Sequence, residues 1–118
     1  MVNVNYFDLE QLKEFVSTNP PIDEISNILV YAAHSGCIDA VTILLDSGAN
    51  VHAQDDSALK FSAYAGNVDV VKILLEAGAD PHVDNDIALQ NAIQYGYYEI
   101  AKILLAYGAN VHAHFDKH

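Results

Sequence analysis

The stretch SGCIDAVTILLDSGANVHA, residues 35–53, decides how this chain folds, because the sequence writes it three times. It returns as AGNVDVVKILLEAGADPHV over residues 65–83 and as YGYYEIAKILLAYGANVHA over residues 95–113. Each copy lies 30 residues beyond the last, and the register holds column by column. Gly36, Gly66 and Gly96 form one column, and Gly48, Gly78 and Gly108 another. The pairs Leu44-Leu45, Leu74-Leu75 and Leu104-Leu105 keep the same step, as do Leu29, Leu59 and Leu89, and His52, His82 and His112. A period in this range is the signature of a solenoid, in which one small unit cannot bury its apolar face alone and stacks on its neighbours to make a continuous core.

Within each unit the pattern specifies two short helices. The first is expected to run from Ile28, Ala58 or Ala88 to the residue before the first glycine. Ser26, Asp56 and Asp86 stand just ahead of it, where a side-chain oxygen suits an N-cap. The glycine then permits a tight turn into the second helix. Asp39, Asp69 and Glu99 fall in the first turn of that helix, where a negative charge complements the dipole. Val41, Leu44 and Leu45 carry the i, i+3, i+4 stripe, and Gly48, Gly78 and Gly108 fit a left-handed C-terminal cap.

The three copies resemble the second half of ankyrin repeats, whose pattern runs G-H-x-x-V-V-x-L-L-L-x-x-G-A-D-x-N-A, and the resemblance spans roughly residues 27–113. It implies an all-α ankyrin-repeat solenoid of stacked helix-turn-helix units with short hairpin-like fingers. It also implies a protein that binds partners through the fingers and the exposed face of the first helices. Two departures from the family pattern stand out. The unit has 30 residues where the family has 33, and the missing ones fall between Gly48 and Leu59, so the finger should shrink to a tight turn. The T-P-L-H opening is reduced to its leucine, and histidine replaces the usual finger asparagine. Short units of this kind are similar to arrays in giant viruses of amoebae, which would place the protein in a host cytosol.

The expected organisation is one domain over residues 1–118, with an N-terminal capping helix in 1–26 and units at 27–56, 57–86 and 87–118, the last acting as a cap. In FDLEQLKEFVSTNPPID, residues 7–23, Leu9, Leu12, Phe15 and Val16 form the stripe of a lone second helix. Asn19 takes the place of the terminating glycine, and Pro20 and Pro21 stop the helix. At the other end, Val30, Tyr31 and His34 become Lys60, Phe61 and Tyr64, then Gln90, Asn91 and Gln94. That polar shift is what a solvated cap requires, so the array is expected to be complete and monomeric. Tyr31 and Phe61 are expected in the core between units.

Charge narrows the partners. Sixteen acidic residues against five lysines, with no arginine, give a formal charge of -11. Such a surface repels phosphate backbones and argues against nucleic acid, while a basic protein partner is compatible with it. No apolar run reaches the roughly 18 residues of a membrane span. The lone Cys37 and the absence of a signal-like start favour a reducing, cytoplasmic setting.

Catalytic and metal signatures are weak. There is no nucleophilic triad, HExxH or Gly-rich phosphate loop, and no cofactor motif, so the expectation is a non-catalytic protein. The His52, His82, His112 column offers at most two ligands to one ion if units stack at about 8–10 Å, and a finger hydrogen bond or stacking role is the better reading. In the tail His112, His114, Asp116 and His118 alternate, and an extended strand would set neighbours about 6.6–6.8 Å apart on one side. A metal-dependent hydrolase built on them is the rival from another class. Cys37, near a helix N-terminus, is a lesser candidate because Asn67 and Tyr97 fill its column. The favoured site is a partner-binding surface of His34, Asp55, Asp56, Tyr64, Asp84, Asp86 and Tyr95. Tyrosine beside carboxylates suits a protein interface, because the ring buries area at low entropy cost. An inhibitor that plugs a basic site is the leading role, with an adaptor or scaffold as its alternative. Tyr97 and Tyr98 mark a second candidate contact at the end of the array.

Overall fold

The computed structural model describes residues 8–110 and contains seven α-helices among them, with no strand. They are α1 (Leu9–Ser17), α2 (Ile22–Ser35), α3 (Ile38–Asp46), α4 (Ala53–Ala65), α5 (Val68–Glu76), α6 (Val83–Gln94) and α7 (Tyr98–Ala106). Helices α2, α4 and α6 stack side by side as one layer, and α1, α3, α5 and α7 form a second. The pairs α2–α3, α4–α5 and α6–α7 are the three hairpins, and α1 packs on α3 in the second layer. No described helix is long and apolar enough to cross a membrane.

The core lies between the layers, where the repeat columns place it. Leu29, Leu59 and Leu89 come from the first helices and Leu44, Leu74 and Leu104 from the second, and all six are essentially inaccessible. Each buried leucine contributes about 1.5–3 kcal/mol of transfer free energy. Alanine fills the close approaches, with Ala33, Ala63 and Ala92 buried on the first helices and Ala40 on α3.

Helix ends follow local chemistry. The Asp8 carboxylate accepts the backbone N–H groups of Glu10 and Gln11 at 3.1 and 3.3 Å and caps α1. That helix ends with Asn19 in the left-handed region at φ 58°, the place expected of it. Gly48 ends α3 at φ 95°. Its N–H donates to the Leu45 carbonyl and the Ala49 N–H to the Leu44 carbonyl, both at 3.0 Å, a Schellman arrangement repeated after α5 and α7.

Two expectations need correction. Helix α2 begins at Ile22, not near Ile28, so the unit boundary drawn at 26/27 falls inside a helix and Ser26 is no cap. No finger precedes this first unit, and Pro21, locked at φ -56°, opens the helix directly. In the later units the connection is neither a hairpin nor a simple turn. Gln54, Asp55 and Asp56 all have φ between 55° and 57°, and Asp84, Asn85 and Asp86 between 50° and 61°. Each finger is therefore one turn of left-handed helix, and right-handed geometry resumes at Ser57 and at Ile87.

A candidate protein-binding face

The left-handed fingers are unfavourable on their own, at about 1–2 kcal/mol per non-glycine residue. Aspartate and asparagine tolerate this region better than other side chains, and they fill five of its six positions. Hydrogen bonds offset the rest. The turn opens with the Asn50 side chain accepting the His52 N–H at 3.0 Å, and Asp80 does the same for His82 at 2.9 Å. The Asp56 N–H reaches back to the His52 carbonyl at 3.1 Å, with Asp86 and His82 the equivalent at 3.2 Å. The Ser57 hydroxyl closes the turn by donating to the Gln54 carbonyl.

Asp56 and Asp86, two of the residues expected at the partner-binding surface, are buried. They are 5% and 4% exposed. Nor do they cap their own helices. The Asp56 Oδ2 accepts the backbone N–H of Asp80, in the next unit, at 2.6 Å, and Asp86 Oδ1 accepts that of Asn110 at 3.0 Å. Ser26 Oγ accepts the Asn50 N–H at 2.7 Å in the same way. The second partner of each aspartate is a finger histidine: His52 Nδ1 lies 2.8 Å from Asp56 Oδ1, and His82 Nδ1 3.0 Å from Asp86 Oδ1. The histidine column thus has the hydrogen-bonding place that stacking geometry favoured. His112, its third member, lies outside the described residues.

The remaining five candidates, His34, Asp55, Tyr64, Asp84 and Tyr95, are all exposed. Four aromatic side chains of the first-helix layer stand out towards solvent: Tyr31 at 54%, Phe61 at 44%, Tyr64 at 53% and Tyr95 at 45%. Tyr31 and Phe61 were expected in the core and are not there. With Leu29, Ala32 and Ala33 already filling the inward side of α2, position 31 is turned away from it. The rings touch across unit boundaries. His34 and Phe61 lie 5.3 Å apart between centroids, and Tyr64 and Tyr95 meet edge-on at 5.3 Å, while within the last unit Tyr95 and Tyr97 lie 6.1 Å apart. The Tyr95 hydroxyl titrates above the ordinary tyrosine range, first because it is hydrogen bonded with Tyr64 and then because a charged Tyr64 would repel it.

Charge is distributed unevenly over the two layers. Lys13, Lys72 and Lys102 stand on α1, α5 and α7, in the second layer. The lysine of the first-helix layer, Lys60, is bound by Asp84 of the next finger, with Nζ 2.7 Å from Oδ2. Asp23 and Glu24 at the start of α2, Asp55 at the start of α4 and Asp80 just ahead of α6 are exposed.

Tyr97 is half-buried, with its ring over the Gly66 backbone of the preceding unit. Tyr98 is 69% exposed, and Ile93, Leu105 and Tyr107 of the same unit are exposed as well. Cys37 is half-buried against the core. A cavity of about 260 Å³ between the helix turns is lined by Gly36, Ile38, Gly66, Asn67, Val68 and Asp69, a set without a paired nucleophile and base. Among the described residues no three His, Cys, Asp or Glu side chains are grouped as metal ligands. The His114, Asp116 and His118 tail lies outside the described residues.

A stack of helix hairpins with an exposed first-helix face defines the class of solenoid binding modules. A family model described as ankyrin repeats (3 copies) matches residues 3–86 and, in an overlapping register, 29–114, and the chain belongs to that family. Ankyrin repeats are protein–protein interaction modules and are typically non-catalytic. No curated protein matches the chain.

Proposed function

We propose that the chain is a stoichiometric protein-binding module that engages its partner through the exposed side of α2, α4 and α6. The observation that carries this reading is the set of solvent-facing rings Tyr31, Phe61, Tyr64 and Tyr95, of which Tyr64 meets Tyr95, and Phe61 meets His34, across a unit boundary. Large aromatics held on rigid helices supply contact area at low ordering cost, which is the composition of interface anchors. His34, Asp55 and Asp84 border the row and complete the surface.

The charge of -11 supports a basic protein partner, and the pairing of Lys60 leaves this side of the molecule without a free described lysine. Within that class, the narrower role is inhibition, with the acidic and aromatic face covering a basic working surface of the partner. An adaptor would use the same face and leave the partner active.

The test is a capture experiment with the full chain and two variants, Phe61→Ala with Tyr64→Ala, and Leu105→Ser with Tyr98→Ala. All four residues are exposed, so both variants are expected to fold, which circular dichroism checks. Loss of a partner with the first variant and retention with the second supports the face. The reverse pattern moves the site to the exposed Tyr98 and Leu105 of the last described unit. Adding the chain to the captured partner's own activity assay then separates inhibitor from adaptor.

A further inference from the structure

We propose that this face is built to recognise arginine side chains of the partner, and that Lys60 occupies one arginine seat while the partner is absent. The inference rests on the protein-binding reading above and specifies its chemistry.

Three observations combine. Phe61 and Tyr64 on α4 and Tyr31 on α2 offer exposed aromatic rings, which attract a cation held over them. The exposed carboxylates Asp55 and Asp84 lie on the fingers that precede α4 and α6, and Asp84 already binds a cation from α4, next in sequence to Phe61, so the layer that carries the rings also carries anions for a cationic side chain. The third observation is the side chain already there. Lys60 of α4 holds its ammonium 2.7 Å from Asp84 of the next finger, and its side chain is only 21% exposed. This chain therefore provides a cation at the position where the partner would bring one.

Arginine fits better than lysine on physical grounds. The planar guanidinium stacks on a ring face while its edge donates two parallel hydrogen bonds to a carboxylate, and it sheds water more readily than an ammonium does. A point charge such as lysine can satisfy the carboxylate or the ring with less geometric match. The chain itself has no arginine, so no residue of its own competes in that mode. Lysine is the weaker occupant and can be displaced.

The test uses the full chain and three peptides of one length and spacing, carrying arginine, lysine or the neutral isostere citrulline. Binding is read by calorimetry and by NMR shifts. The arginine peptide is expected to bind most tightly, with shifts centred on Phe61, Tyr64 and Asp84, and the citrulline peptide not to bind. Tyr64→Leu, which keeps apolar bulk but removes the ring, should weaken the arginine peptide by roughly 3- to 30-fold. Lys60→Gln should strengthen it, since the seat is vacated, and thermal unfolding confirms that this variant is folded. Equal binding of arginine and citrulline peptides, shifts spread over α1, α5 and α7, or no shift at millimolar peptide would each overturn the inference. A natural partner lost on Phe61→Ala with Tyr64→Ala, yet indifferent to Lys60→Gln and free of arginine at the contact, would also overturn it and leave the binding reading intact. A partner bound at another face would sink the binding reading, whatever the peptides do.

Discussion

The carboxylate of Asp56, buried at the foot of one finger, accepts the backbone N–H of Asp80 at the start of the next, at 2.6 Å. The two residues lie 24 apart in sequence, and the same spacing joins Ser26 to Asn50 and Asp86 to Asn110. This bond ties each unit to its successor outside the apolar core. Asp56→Ala removes the acceptor, leaves the Asp80 N–H and the His52 ring without it, and puts alanine at φ 56°. The expected loss is about 1–3 kcal/mol from the unsatisfied donor alone. Asp56→Asn keeps a carbonyl oxygen and the tolerance for left-handed backbone, so it should cost clearly less. Urea denaturation of the two variants checks the order.

Gly66 and Gly78 make a matched pair for a second prediction. Both have positive φ, 79° and 101°, so alanine is strained at either. At Gly78 an added Cβ meets nothing within 4 Å, whereas at Gly66 it would sit 2.9 Å from the Tyr97 ring. Gly66→Ala should therefore cost about 1–3 kcal/mol more than Gly78→Ala, the usual range for overpacking. In a Tyr97→Ala background the difference should vanish. A persistent difference would mean that the ring is not what crowds Gly66.

Much of this architecture is legible in the sequence because its determinants are local and periodic. The leucine columns set the buried stripes, and the column of Gly48 sets the helix ends, through steric rules that act within a few residues. The loss of three residues from the family unit foretells a short finger. Its left-handed form is not foretold, because Gln54, Asp55 and Asp56 do not exclude ordinary turn geometry and the sequence does not say which polar groups will bond. The role of Asp56 is hidden for the same reason: a short polar residue before a helix suggests a cap, and only the fold brings Asp80 to it. Tyr31 and Phe61 mislead in the opposite direction, since an aromatic residue beside a buried leucine suggests core until the alanines are seen to fill the inner side. His34, Asp55, Tyr64, Asp84 and Tyr95 are legible as surface residues, and the pairing of Asp84 with Lys60 is not.

Leucines of one type should differ with their place in the stack. Leu74 is fully buried between flanking units, and Leu74→Ala should cost about 2–5 kcal/mol. Leu105 holds the neighbouring column in the last described unit and is 44% exposed, so Leu105→Ala should cost about 0.5 kcal/mol or less. Hydrogen exchange provides a further check. Because units are stabilised by their neighbours, Leu74→Ala should lower protection in α4 and α6 as well as in α5.

The tyrosine contact has a titration of its own. The Tyr95 hydroxyl is held above the usual tyrosine range chiefly by its hydrogen bond with Tyr64. Tyr64→Phe removes both that bond and the charge Tyr64 acquires on ionising. Tyr95 should then lose its proton at lower pH than in the unmodified chain, which NMR of the ring carbons follows residue by residue. An unchanged or higher midpoint would show that the two hydroxyls are not paired in solution.

Site-specific photocrosslinking tests the binding face most directly. A photoreactive residue is placed at position 64, on the exposed side of α4, and in a second protein at position 72, on the second-layer helix α5. Each is irradiated with the partner captured by the unmodified chain. Crosslinks from position 64 and none from position 72 are the expected result, and unlabelled chain should compete them away. Crosslinks from position 72 with none from position 64 would contradict the assignment of the aromatic first-helix face as the surface this protein uses.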